Sequence, residues 1–599
     1  MRKKRELNLE DILTDKAVID DILEVPVKPD VFKICFLVVA LMALVNVNRL
    51  FSLNVFRGDF YRQRALANIS EVAVQKAERG VILDRYGKPL VKNKPIFNAV
   101  LVPSQLPKET TEKKTAIAKI TEMLDLEPEA IQKIIKKTDL EFTNRILLVR
   151  DLPQNKAVIF QSANLAGLQI ESGWQRDYQE SKAFSHLLGY VGLVAKNDLV
   201  VNPDLTSNDL IGKNGLEAYY DRQLRGENGK ITIFQNVQGK ILTENLTKQP
   251  KAGQPLKTFI DADLQNYFSN RLEQGLKELG RDTGVGIAID PSNGEVLALV
   301  SLPSFDGARI ADFLNQSTQP LFNRAITGLY APGSTIKPLV AVAALNEKVI
   351  DTKKEIFSAG YIEIPNPYNP DKPSIFLDWK PHGWVNFYSA LARSSNIYFY
   401  ALGGGWEDVK GLGISKLRDY WQRFGFGNPT NIDLVGEKEG LLPAPSSDWR
   451  LGDTYNATIG QGDLLVTPLQ LVNYITAIAN GGKIYEPRIA KTEPKMLKDL
   501  ANLKEFLSEA EKGMIEATQK SYGTAYLLND LPFLTAAKTG TAQINYNTKT
   551  NALFVGYGPI PQPRIAILVL VENAREGSLN AVPVAKDVFK WYYDNRIKK

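Results

Sequence analysis

Histidine and cysteine are scarce in this chain. Its 599 residues contain two histidines, His186 and His382, and one cysteine, Cys35. A single cysteine excludes a disulfide within the chain and a cysteine-rich zinc site, and two histidines leave little for a histidine-rich metal centre. A Ser-His-Asp triad would need one of those two histidines, so acyl chemistry here is expected to use another base. A strong charge of one sign is also missing. The 73 Lys and Arg against 67 Asp and Glu leave a formal charge of +6. There is no basic stripe with interleaved aromatics, and no nucleic-acid partner is expected. The composition, 44% hydrophobic and 23% charged, is that of an ordinary folded protein, and the length suggests about two to four domains.

Long apolar runs are absent with one exception. Ile34 to Val45 is unbroken, and extension through Val47, Leu50 and Phe51 gives the roughly 20 residues that crossing a bilayer requires. Arg49 would snorkel to the far headgroups. A buried soluble helix and a cleaved signal peptide compete with this reading. The charged residues that precede the run and the lack of a small-residue cleavage site after it favour an uncleaved anchor. Charge alone does not orient it, because Lys28, Lys33 and the Arg2-Lys3-Lys4-Arg5 run oppose Arg49, Arg57, Arg62 and Arg64. Cys35 falls inside the span, so the remainder of the chain has no thiol, which suits an oxidising compartment.

From Phe56 to Pro255 the pattern is mixed. Val81–Leu83 and Phe97–Val102 read as strands, and residues 108–124 and 127–137 as helices. The character changes near Gly253-Gln254-Pro255. Asp263–Leu279 is an amphipathic helix. Val285–Asp290 and Glu295–Ser301 are strands joined by Pro291-Ser292-Asn293-Gly294, a hairpin turn signal. Asn551–Tyr557 and Arg564–Val571 form a second strand pair, and Val582–Tyr593 a last helix. This order predicts an α/β sandwich with an antiparallel sheet.

Three short motifs lie in this second region. Ser334-Thr335-Ile336-Lys337 follows Ala331-Pro332-Gly333 and leads into an apolar helical run. Ser334 and Lys337 lie one turn apart on one face. A hydroxyl is a weak nucleophile until a base takes its proton, and a lysine is such a base only when neutral; burial and a second nearby cation both lower its pKa. Ser394-Ser395-Asn396 offers a hydroxyl to pass a proton and an amide to hold a substrate amide. Lys538-Thr539-Gly540-Thr541 has strand character and offers the second cation, two hydroxyls for a carboxylate, and a glycine that admits substrate backbone. Singly, each has a plain structural reading: an N-cap for Ser334, a helix-end hydroxyl for Ser394, a solvated strand charge for Lys538. Together and in this order they form the trio known from class A β-lactamases and penicillin-binding proteins.

The chain resembles the class B penicillin-binding proteins well beyond that trio. Asn323-Arg324-Ala325 through Gly328 and Tyr330 is similar to the family's approach to its nucleophile, and Gly460-Gln461-Gly462 with Val466-Thr467-Pro468-Leu469-Gln470 to its later glycine motif. Arg79-Gly80-Val81-Ile82-Leu83-Asp84-Arg85-Tyr86-Gly87, His186–Gly192 and Gly212-Lys213-Asn214-Gly215-Leu216-Glu217 resemble motifs of its non-catalytic domain. Asp378-Trp379-Lys380-Pro381-His382-Gly383-Trp384 resembles the elongation-specific subgroup, with the division-specific subgroup as the alternative. The resemblance implies an α/β architecture: a β-lactamase-like transpeptidase domain (an antiparallel sheet sandwiched by helices, plus a helical subdomain) at 255–599, an extended α+β pedestal of dimerisation type at 54–254, an anchor at 31–53 and a cytoplasmic tail at 1–30. It thus implies a single-pass inner-membrane protein with its catalytic domain outside.

The implied reaction is acyl transfer on peptidoglycan stem peptides ending in D-Ala-D-Ala. Ser334 would be the nucleophile and Lys337 its base. Ser394 would relay the proton, Asn396 would hold the peptide amide, and Lys538, Thr539, Gly540 and Thr541 would receive the terminal carboxylate. Backbone N–H groups of Ser334 and Thr541 would form the oxyanion hole. β-Lactams would acylate Ser334. No metal or organic cofactor is implied. Expected partners are the stem peptides, a polytopic glycosyltransferase of the shape, elongation, division and sporulation family, and other elongation-complex proteins. A D,D-carboxypeptidase and a non-catalytic penicillin-binding sensor or scaffold are the other readings. The segment around Glu180 and His186 is loosely similar to a glycosyltransferase motif, but its spacing differs, and His186 is read as structural; the role of His382 is left open.

Overall fold

The computed structural model describes residues 29–62, 70–127, 129–137, 145–203, 205–206, 208–235, 241–366, 371–544 and 549–598. The Arg2–Arg5 run and Lys28 lie outside the described residues. The chain divides into two compact units, one bounded by Met1–Ala73 with Thr232–Asn245, the other by Val74–Ile231 with Leu246–Lys599.

In the first unit, helix α1 (Pro29–Phe51) has no buried side chain. Its 23 residues would extend about 35 Å at 1.5 Å per residue, enough for a hydrocarbon core of about 30 Å. With the helical turn that follows it, Pro29–Phe56 has a mean hydropathy of 2.2 over its most apolar window. The Asn46 side-chain amide donates to the Met42 carbonyl at 2.8 Å. This contact within the helix satisfies a polar group that an apolar setting would otherwise leave bare.

The second unit begins with a five-stranded sheet: β1 (Ile82–Leu83), β2 (Pro89–Leu101), β3 (Ile146–Leu152), β4 (Leu168–Tyr178) and β5 (Leu256–Lys257). β2 is its hub and pairs with β1, β3 and β4. The sequence suggested only Phe97–Val102. The strand starts earlier because antiparallel pairing with β4, from Val91 opposite Tyr178 to Leu101 opposite Leu168, carries the polar Lys92–Pro95 stretch that has no apolar alternation of its own. Nearby, Glu217 is fully buried between two guanidinium groups, 2.6 Å from Arg79 and 2.7 Å from Arg176. Arg79 also pairs with Asp221 at 2.9 Å. Two motifs distant in sequence, one at Arg79 and one at Glu217, thus meet as a compensated buried ion cluster.

Downstream, Asp261 caps helix α2 (Ala262–Glu278) by accepting the Leu264 N–H at 3.1 Å. A hairpin follows, β6 (Gly284–Asp290) and β7 (Glu295–Leu302). Five helices then matter for the site: α3 (Lys337–Asn346), α4 (Phe387–Arg393), α5 (Asn396–Gly404), α6 (Pro468–Ala479) and α7 (Lys504–Gln519). Strands β8 (Leu534–Ile544), β9 (Lys549–Ile560) and β10 (Ile565–Val571) and helix α8 (Val582–Tyr592) close the domain. The sheet is antiparallel throughout, in the order β7-β6-β10-β9-β8. Every residue of β10 is buried, as an uninterrupted apolar strand between two helical layers must be. Phe268 and Leu272 of α2 pack with Val588 and Phe589 of α8 on one face. Helices α3, α6 and α7 cover the other. β8 is the edge strand on the side where the three motifs meet.

Candidate active site

The first motif lies on a tight turn. Gly333–Ile336 is a 3-10 turn that runs into α3. Gly333 has φ +54°, and a Cβ there would lie 2.9 Å from the Thr541 carbonyl oxygen. The Gly333 N–H donates to the Gly460 carbonyl at 2.8 Å, and a Cβ on Gly460 would lie 2.3 Å from the Gly333 oxygen. Three backbones therefore meet where side chains do not fit, which explains the glycines of two motifs. Ser334 sits on this turn, partly exposed, and faces an open cleft of about 760 Å³.

One turn on, Lys337 is completely buried. Its amine lies 2.8 Å from the Ser394 carbonyl, 2.8 Å from Oδ1 of Asn396 and 3.3 Å from Oγ of Ser394. A neutral amine has two hydrogens and one lone pair. That count matches two carbonyl acceptors and one hydroxyl. Burial lowers its pKa to about 7, and the Asp378 carboxylate opposes the shift. Lys538, the second cation, is itself held well below the usual lysine range, by burial first and by the charge of Lys337 second.

The second motif is the junction of two helices. α4 ends at Arg393, and Ser394 adopts a left-handed conformation with φ 58°. Ser395 caps α5 by accepting the Tyr398 N–H at 3.4 Å, and its hydroxyl donates to Asp378 at 2.8 Å. The buried Asp378 carboxylate also accepts from the Ser358 hydroxyl at 3.1 Å and from the N–H groups of Ile397 at 3.2 Å and Trp379 at 2.9 Å. His382 Nε2 stands 3.7 Å away. Burial alone would raise the pKa of Asp378. The His382 contact, the charge of Lys337 and the hydrogen bonds around it hold it down to about 2. Sequence reasoning missed Asp378 as a site residue. The available signal was an acid four residues before one of only two histidines.

The third motif lies on β8. Residues alternate across a strand, so Thr539, Thr541 and Gln543 face the cleft while Lys538 points beneath it. The Lys538 amine donates to the Thr539 carbonyl at 2.8 Å; it lies under the cleft floor and is not part of its wall. The Thr539 hydroxyl pairs with that of Thr524 at 2.8 Å. A Cβ on Gly540 would lie 2.8 Å from the Thr335 methyl. Gln461 closes one end of this edge. Its Nε2 donates to the Thr541 carbonyl at 3.2 Å, and its Oε1 accepts the Gln543 N–H at 3.3 Å. In an antiparallel strand the N–H and C=O of one residue point the same way, so the Thr541 N–H also faces the cleft, beside the Ser334 turn.

The fold therefore gathers every site residue expected from the sequence. Ser334, Ser394, Asn396, Thr539, Gly540 and Thr541 line the cleft, and Lys337 and Lys538 lie beneath it. Neither histidine lines it. His186 is buried against Phe305, ring centroids 5.1 Å apart, and burial lowers its pKa to about 4. Thr524, Gln461 and Glu576 also line the cleft, and sequence reasoning assigned none of them a role.

Comparison with known proteins is consistent with this geometry. The penicillin binding protein transpeptidase domain matches residues 284–590, and the penicillin-binding protein dimerisation domain residues 74–258. A relative from Haemophilus influenzae, peptidoglycan D,D-transpeptidase MrdA, is 30% identical over 628 residues, covering 94% of this chain and 91% of its own length. Its Acinetobacter baumannii namesake is 31% identical over 608 residues, covering 94% and 87%. The structure of the complex between penicillin-binding protein PBP2 and MreC from Helicobacter pylori contains a chain that superposes with a TM-score of 0.77 at 27% identity, over 88% of this chain and 100% of that one. A buried lysine behind a turn-borne serine, the paired domains and these relatives converge: the chain belongs to the class B penicillin-binding proteins and is most like penicillin-binding protein 2.

Proposed function

We propose that this protein is a peptidoglycan D,D-transpeptidase that crosslinks stem peptides during cell-wall elongation. The observation that carries the reading is the Lys337 amine, buried, shifted to about 7 and within 3.3 Å of the Ser394 hydroxyl, one turn from the cleft-facing Ser334. The neutral amine takes the Ser334 proton as Oγ attacks the carbonyl between the two terminal D-alanines. The N–H groups of Ser334 and Thr541 stabilise the oxyanion, each such donor contributing about 3 kcal/mol. As the C–N bond breaks, the proton passes through Ser394 to the leaving D-alanine amine. The amine of a second stem peptide then attacks the ester, its proton returns by the same route, and Ser334 leaves. Asn396 is oriented for a peptide amide because Lys337 occupies its oxygen. Thr539 and Thr541 present hydroxyls to the terminal carboxylate, and Lys538 is buried beneath them. A β-lactam amide is attacked in the same way, and its leaving nitrogen stays tethered to the acyl group.

We assign the tail, anchor, pedestal and transpeptidase domain to residues 1–30, 31–53, 54–254 and 255–599. The apolar α1 is the membrane anchor, with the tail in the cytoplasm and the catalytic domain outside. Elongation-complex proteins are the partners, by analogy with the Helicobacter pylori PBP2–MreC complex. A peptidoglycan synthase complex coordinating polymerisation and crosslinking contains a similar chain, 25% identical over 94% of this one, which supports a polytopic glycosyltransferase as a further partner.

Fluorescent penicillin should label the parent covalently and leave Ser334→Ala unlabelled. With glycan-linked stem peptides as substrate, D-alanine release should accompany crosslinked dimers. D-Alanine release without dimers would instead identify a carboxypeptidase.

A further inference from the structure

An exposed aromatic face runs away from the cleft. The chain from Ile356 to Ile364 contributes one strand to each of two short antiparallel ribbons, separated by Gly360 at φ +101°. It pairs with Gly383–Val385 through Phe357 opposite Trp384, and with Ser374–Leu377 through Tyr361 opposite Leu377 and Glu363 opposite Ile375. Alternation sends Ile356, Ser358 and Ile362 inward, where Ser358 holds Asp378. The exposed side of one ribbon carries Phe357 and Trp384, that of the other Tyr361, Ile375 and Leu377, and Trp379 follows Leu377 closely; all six are between 50% and 65% exposed. At 150–250 Å² per aromatic side chain, this leaves an apolar surface on the order of 500 Å², as large as the patches that mark binding sites on soluble domains.

The patch is continuous with the catalytic cleft, because Ile375, Leu377 and Trp379 line both. Its tryptophan nearest the cleft is fixed in place. The Trp379 indole N–H donates to the Arg393 carbonyl at 3.2 Å, and the Lys380 amine lies 4.4 Å over its ring. Further along, Phe357 and Trp384 form a tilted ring pair 5.3 Å apart, and on the neighbouring ribbon Glu363 stands opposite Ile375.

We propose that the Phe357–Trp384 ring pair, with the apolar side chains between it and the cleft, is a saccharide subsite that holds the glycan to which the stem peptide being acylated is attached. The inference rests on the transpeptidase reading above. An extended peptide covers at most about 3.5 Å per residue, so a short stem with its terminal dipeptide at Ser334 brings its sugar close to the cleft mouth. Pyranose rings have apolar C–H faces that pack on aromatic rings while their hydroxyls stay in water. An exposed two-ring platform matches that chemistry, and the covalent link between sugar and peptide accounts for apolar side chains that begin at the cleft wall with Ile375, Leu377 and Trp379.

The test compares two acyl donors with the full-length protein in detergent: a disaccharide-linked stem peptide, and the same peptide released from its sugar. The quantity read is the ratio of their kcat/KM values for D-alanine release. The parent should favour the glycan-linked donor. Trp384→Leu combined with Phe357→Leu should reduce that preference about tenfold, and Trp384→Tyr should keep it. Penicillin labelling counts the intact sites in each variant. A second measurement needs no variant: peptide-free glycan oligosaccharides titrated into the parent should quench tryptophan emission. An unchanged ratio in the leucine variants, leucine performing as well as tyrosine, or no quenching would overturn the subsite; a crosslinking defect seen only in membranes would point to a protein partner instead. If the parent releases no D-alanine from either donor, the transpeptidase reading itself fails.

Discussion

Lys337 Nζ lies 2.8 Å from Oδ1 of Asn396, and with its two contacts to Ser394 this joins the first two motifs before any substrate arrives. This contact fixes the base and turns the Asn396 amide outward.

The base must be neutral to act, and burial sets its pKa at about 7. The neutral fraction grows as pH rises. Penicillin acylation should therefore increase from pH 6 to 8 and then level off. Lys337→Ala should reduce acylation by about 10²–10⁴-fold, the usual contribution of a general base, while near-UV circular dichroism remains that of the parent.

Asp378 raises the pKa of Lys337, so removing its charge lowers that pKa further. In Asp378→Asn the rising limb of acylation should move to lower pH. Lys337, His382 and Tyr400 are the titratable groups that Asp378 acts on, and of these only Lys337 serves as the proton acceptor. The maximal rate should also fall, since an amide whose oxygen keeps Ser395, Ser358 and Ile397 turns its NH2 toward the Trp379 N–H and removes that acceptor. An unshifted limb would detach Asp378 from the base. The low folded pKa of Asp378, about 2, contributes stability above pH ~4, near the ordinary carboxyl value. That contribution is lost as pH falls from there towards 2, and in Asp378→Asn it should be missing from an acid-denaturation curve.

A methyl group on Gly460 would meet the Gly333 carbonyl at 2.3 Å, at a position with φ +74°. Gly460→Ala should displace the Ser334 turn and slow acylation at least tenfold. The melting temperature should fall by only a few degrees, because the strain is local. Stopped-flow acylation and a thermal melt together decide this.

The buried Glu217 neutralises Arg79 and Arg176 far from the cleft. Glu217→Ala leaves Arg176 without its carboxylate partner and Arg79 with Asp221 alone, and should destabilise the pedestal by about 3–5 kcal/mol. Protease susceptibility of residues 74–258 should rise while penicillin labelling of Ser334 persists.

The site was legible in the sequence because its chemistry is carried by residue types at fixed local spacing. Ser334 and Lys337 are one turn apart on any helix, and Lys538 and Thr539 alternate on any strand. Asp378 was not legible, since its role depends on a ribbon folding back so that Ser358, Ser395 and Ile397 converge on it. The depression of Lys337 was expected from burial and a second cation; burial lowers it in the structure, but the extent of burial is a property of packing around α3 and not of motif spacing. The sheet strands β6 and β7 were visible from alternation and a turn signal. The long β2 was hidden by Lys92–Pro95, whose extended form comes from pairing with β4.

The Gln461 clamp has a consequence for how the sheet edge is used. An unpaired edge strand recognises an extended peptide by strand addition, and the same feature makes an edge prone to aggregation. By occupying the Thr541 carbonyl and the Gln543 N–H, the glutamine amide leaves only a short length of β8 open. That length admits the end of a stem peptide and denies a full strand of another protein a register in which to extend. A single side chain thus acts as a stop that lets an exposed edge serve as a substrate cradle without inviting self-association.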